Sequence, residues 1–72
     1  MECSAGEKIR TILDRRRMSI TELSKKIGTS RQNLTNKLSR DNFSEKEMQD
    51  IAKALNCTFN TQFTMNDTGE TI

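Results

Sequence analysis

The chain has 72 residues, with 12 lysines and arginines against 10 acids, two cysteines, and no histidine, tryptophan, tyrosine or proline. A chain this short makes one small domain, whose apolar core rarely supplies more than about 3–5 kcal/mol of net stability, so helix caps or a partner subunit must help. Without histidine or ligand-spaced cysteines no metal or cofactor is implied, and no run reaches the roughly 20 apolar residues of a membrane span.

The opening "MECSAGEKIR" is charged and has no apolar signal core, so a cytoplasmic protein with reduced cysteines is expected. Cys3 reads as a bystander in the terminus and Cys57 as a small packing residue at the edge of the core. Four stretches have the form Ser/Thr-x-x-Glu/Gln, beginning at Ser4, Ser19, Thr29 and Ser44. In such a capping box the hydroxyl accepts from a first-turn N–H while the acid or amide reaches back. Each precedes an apolar-periodic segment, so four helix starts are expected.

The first helix is expected over about residues 5–16, with Ile9, Ile12, Leu13 and the stem of Arg16 on one stripe. The second runs about 20–27 and buries Ile20, Leu23 and Ile27. Gly28 then falls where a left-handed residue is wanted, since it has no Cβ to clash. The third spans about 30–39 with Leu34 and Leu38 inward. After "SRDN" and Phe43, the fourth runs about 45–55, with Met48, Ile51, Ala52 and Leu55 at i, i+3, i+4, i+7. Past Asn56 the period changes to two. "CTFNTQFTM" alternates Cys57, Phe59, Thr61, Phe63 and Met65, which predicts a β-strand over 57–65. Residues 66–72 hold too little apolar content to order themselves and read as a flexible tail. The expected fold is mainly α: a four-helix domain over residues 1–56, with a C-terminal strand.

The second and third helices are joined by only three or four residues, so they must cross steeply, with Ser24 small enough to allow close approach. Leu23, Ser24, Ile27, Gly28 and Leu34 fit a helix-turn-helix. A plain α-hairpin uses the same residues, so the outward face of the third helix decides. Gln32 and Asn36 point directly away from the core, with Asn33, Thr35 and Ser39 beside them and Arg31 on the flank. Asn, Ser and Thr weaken a helix, and no acid occurs from residue 23 to 40. Amides donate and accept together, as the N6/N7 edge of adenine requires, while an arginine fork fits guanine O6/N7. That face is written for base edges. Charge agrees: residues 8–40 carry ten basic groups against two acids, and residues 41–72 carry two against six. One surface suits a polyanion and the other is acidic.

"SITELSKKIGTSRQNLTNKL", followed by "SEKEMQDIAKALNCT", resembles the lambda-repressor-like (phage-repressor type, Xre family) helix-turn-helix regulators over about residues 5–58. The resemblance implies that the third helix is the recognition helix, with Ser30, Arg31, Gln32, Thr35 and Asn36 at the bases. It puts the amino end of the second helix, Lys37, Arg40, Asn42 and Ser44 at the phosphates. Two features depart from the family pattern. Position 37, usually apolar, is lysine, and the common fifth helix is replaced by the strand.

The function expected is a sequence-specific regulator of double-stranded DNA, a repressor, with no small-molecule ligand inferred. A protein-interaction module, such as an antirepressor or antitoxin subunit, is the alternative. RNA binding lacks a stacking platform on the basic face, and no nucleophile–base arrangement or phosphate loop indicates an enzyme. A homodimer is expected, with the strand pairing antiparallel to its copy through Phe59, Thr61, Phe63 and Met65.

Overall fold

The computed structural model describes residues 4–72, so the reading of Cys3 lies outside the described residues. Four helices follow in order: α1 (Ala5–Arg16), α2 (Ile20–Ile27), α3 (Arg31–Arg40) and α4 (Glu45–Ala54). Among the described residues, no helix is long and apolar enough to cross a membrane.

A serine starts each helix. Ser4, Ser19, Ser30 and Ser44 are the N-caps, and each hydroxyl accepts from the amide three residues on, at Glu7, Glu22, Asn33 and Glu47. Ser19/Glu22 and Ser44/Glu47 close as full reciprocal boxes. At α3 the cap is Ser30 rather than Thr29, one residue later than the "TSRQ" pattern suggests. Thr29 instead accepts from Asn33 Nδ2 at 2.7 Å.

The helix ends also share one device. Arg17, Gly28, Asp41 and Asn56 all have positive φ, at 52°, 78°, 58° and 55°. After each, the next amide reaches back five residues: Met18 to Leu13, Thr29 to Ser24, Asn42 to Lys37 and Cys57 to Ala52. These 6→1 bonds satisfy carbonyls that a helix end would otherwise orphan. Only Gly28 was anticipated, because only there does the residue type announce the conformation.

The core is Ile9, Leu13, Leu23, Leu34, Leu38, Ile51 and Leu55, with Ile12, Met18, Ile20, Ile27, Phe43, Met48, Ala54 and Cys57 packed around it. Cys57 is half-buried at its edge, as expected. α3 packs on α1 and α2, and α2 on α4. Ser24 is buried at the α2 crossing, its hydroxyl donating to the Thr21 carbonyl at 2.7 Å. The tightest approach lies elsewhere, where α1 meets α3. A Cβ on the buried Gly6 would sit 2.5 Å from the Leu38 carbonyl oxygen.

The strand expected over 57–65 is not present among the described residues. Residues 57–63 form no regular element, and two bonds tie them to α4: Gln49 Nε2 donates to the Phe59 carbonyl at 3.2 Å and Thr61 Oγ1 to Glu45 Oε1 at 3.3 Å. Contacts of this kind hold a segment against a helix without a ladder. Pairing is confined to the isolated bridge Thr64–Thr71, flanked by reciprocal Phe63–Ile72 bonds and one from the Met65 amide to the Glu70 carbonyl. The partner is thus the segment read as an unordered tail, which returns through a turn at 66–68 and Gly69 (φ 77°). The sequence reading missed it because pattern arguments count side chains, and this turn is held by backbone groups.

Candidate nucleic-acid interface

The face of α3 opposite Leu34 and Leu38 is exposed at Arg31, Gln32, Asn33, Asn36, Ser39 and Arg40, with Thr35 half-buried. Two of these side chains are already engaged. Asn33 is held by Thr29, and Thr35 Oγ1 donates to the Arg31 carbonyl at 2.8 Å. Among the described residues, Arg31, Gln32 and Asn36 make no side-chain hydrogen bond within the chain. Their donors and acceptors are presented to solvent on one helix face. Ser30 is exposed at the tip of α3, its oxygen committed to the cap.

Of the residues expected at phosphates, Arg40 and Asn42 are exposed at the end of α3 and just beyond it. Ser44 is exposed too, but its hydroxyl and amide are both occupied by Glu47. The amino end of α2 is closed in the same way: Glu22 Oε1 accepts from the Ser19 amide and hydroxyl. Lys37 does not extend outward. Its ammonium pairs with Glu47 Oε2, and its stem lines a small cleft with Ile27, Leu34, Phe43 and Ile51. That accounts for lysine at a position the family pattern keeps apolar: the stem packs, and the charge finds a carboxylate. The hydrogen bond from Lys37, then that from the Ser44 amide, holds the Glu47 carboxyl below its ordinary value.

On the helices, Arg10, Lys25, Lys26, Arg31 and Arg40, with Arg17 at the end of α1, are exposed and make no ion pair among the described residues. Arg16 turns away, donating to the Asn56 carbonyl at 3.3 Å. The expected dimer residues are divided. Phe59 is half-buried in the groove of α1 and α4, Thr61 is tied to Glu45, and Phe63 and Met65 are exposed.

Exposed basic side chains, a short two-helix turn at Gly28 and, among the described residues, the unpartnered amides of Gln32 and Asn36 occur in one small helical domain. Residues 8–67 match the family model of the Cro/C1-type HTH DNA-binding domain. The chain belongs to that family. No curated protein and no solved structure matches the chain. As a Cro/C1-type domain it functions in DNA binding and transcriptional regulation, and the resemblance drawn from the α2–α3 residues holds. The Cro/C1-type match continues past α4 to Asp67, through the segment that runs back along α4. Glu47 was missed as a partner of Lys37. The only sequence signal was its place in the "SEKE" box, which spoke for a cap and was silent about α3.

Proposed function

We propose that this protein is a cytoplasmic repressor that reads a specific duplex sequence in the major groove with α3. The observation that carries the reading is the set Arg31, Gln32 and Asn36, exposed and unbonded among the described residues on a helix that itself carries no acid. Gln32 and Asn36 are one helical turn apart, so each amide meets a different base step, and adenine is the natural partner. The Arg31 fork suits guanine, and the Thr35 methyl suits the methyl of thymine. Ser30 stands at the entering tip of the helix. Arg40 and Asn42 contact backbone phosphates beside the site, with Ser44 contributing only through its position at the loop. Occupancy of a promoter site is the means of repression.

Binding as a homodimer completes the reading, because one short helix covers only a half-site. Phe63, Met65 and Ile72 are the exposed large apolar residues. The Phe63–Ile72 and Met65–Glu70 pairing gives them a common face on the C-terminal ribbon, and a two-stranded ribbon is marginal unless that face is covered. A second copy of the ribbon is the proposed cover.

Selection of bound duplexes from a random pool tests both parts. The expected outcome is a near-palindrome with half-sites about 10 base pairs apart, enriched in adenine and guanine at the contacted positions. An unenriched pool defeats sequence reading. A single ungapped half-site, with a monomer in sedimentation, defeats the dimer.

A further inference from the structure

Lys37 follows the outward Asn36 on α3, and at about 100° per residue it shares a flank with Asn33 and Arg40. An ammonium on that flank is well placed for a backbone phosphate running past the recognition helix. In the free protein it is engaged instead by Glu47, in a pair still 29% exposed at the lysine and 38% at the glutamate. The two oxygens of Glu47 have separate duties. Oε1 accepts from the Ser44 amide at 3.1 Å and closes the α4 cap, while Oε2 faces Lys37.

We propose that Glu47 is an internal competitor of DNA phosphate for Lys37, restraining how tightly the domain holds any duplex. This rests on the DNA reading above. The exchange replaces one oxyanion by another at the same ammonium, and an ion pair so open to water is weakly held. Breaking it leaves a carboxylate beside a phosphate path, and that repulsion makes the exchange incomplete. Lys37 therefore gives the wild-type protein less than a full phosphate contact.

Glutamine satisfies a capping box as well as glutamate, so Glu47→Gln keeps the acceptor for Ser44 and removes only the charge that holds Lys37. Binding of random-sequence duplex is measured over a salt series for wild type, Glu47→Gln, Lys37→Met and the double variant, with Glu45→Gln as a control for loss of a neighbouring acid. One added phosphate contact raises the log–log salt slope by about 0.9 and tightens binding on the order of three- to tenfold at low salt. Glu47→Gln is expected to show that gain over wild type, and the double variant, with neither the ammonium nor the carboxylate, to return to the wild-type slope. Lys37→Met alone unmasks the Glu47 carboxylate beside the phosphate path and is expected to weaken binding of every duplex. Glu45→Gln is expected to leave the slope unchanged. A double variant that keeps the full gain over wild type overturns the proposal, as does a folded Glu47→Gln with wild-type affinity. A wild-type protein that binds no duplex defeats the DNA reading itself, and this inference with it.

Discussion

The amide of Gly6, in the first turn of α1, donates to Asp41 Oδ1 at 2.6 Å across 35 residues of sequence. Asp41 ends α3 in a left-handed conformation and at the same time satisfies an orphan donor of α1. A carboxylate at a helix N-terminus is favoured by the helix dipole as well as by the bond. The bond requires the bare Gly6, because a Cβ there would meet the Leu38 carbonyl oxygen at 2.5 Å and Asp41 Oδ1 at 3.1 Å.

Gly6→Ala is therefore expected to destabilise the domain, although alanine is the better helix former. Forcing α1 away from the end of α3 should cost about 1–3 kcal/mol, the usual range for overpacking. Urea denaturation gives the measurement. A variant as stable as wild type would mean that the two backbones separate freely.

Arg17→Gly is expected to act in the opposite direction. Arg17 holds a φ of 52°, which costs a residue with a Cβ roughly 1–2 kcal/mol, and glycine escapes that cost while adding unfolded-chain entropy. The net should be a gain of up to about 1 kcal/mol, read as a higher melting temperature. Gly28→Ala, where an added Cβ meets nothing within 4 Å, should lose about 1 kcal/mol from backbone strain alone.

Acid should weaken the α3–α4 junction. The Glu47 carboxyl is held below 4.5 by Lys37 and by the Ser44 amide. A carboxyl depressed on folding contributes stability that is complete above its unfolded value and lost as pH falls through the lower folded value. The stability difference between wild type and Glu47→Gln should be present at about pH 6 and shrink at about pH 3, as urea midpoints would show. A difference independent of pH would deny the linkage.

On DNA, Gln32→Ala or Asn36→Ala should cost about 1–3 kcal/mol on the selected site and relax discrimination at one position. Neither change should weaken the fold, since alanine is the stronger helix former. Arg40→Ala should weaken all sequences alike and lower the salt slope by about 0.9. Equal losses on specific and random duplex would demote the two amides to positioning roles.

The four helices were legible because two signals coincided, serine caps at Ser4, Ser19 and Ser44 and apolar spacing through Leu13, Leu23, Leu34 and Ile51. Where a single signal spoke, the reading slipped. At α3 two hydroxyls stand side by side, and Ser30 caps while Thr29 serves Asn33. The alternation from Cys57 to Met65 is real in sequence, yet the Phe59 carbonyl and the Thr61 hydroxyl found α4, and a period of two does not say what an extended segment leans on. Of the outward face, Gln32 and Asn36 followed from helix geometry alone. Lys37 did not, because its carboxylate partner comes from another helix, and no local pattern encodes a pairing of that kind.

α3 is gripped from behind by two leucines and capped by one serine, while the side chains of Arg31, Gln32 and Asn36 make no hydrogen bond among the described residues. If α3 reads bases as proposed, recognition and folding are written at different positions of the same ten residues. A lineage carrying this domain is free to change what it recognises by substitution at three sites without renegotiating its architecture. Drift in the α3 face among otherwise similar chains would then record new targets rather than decay.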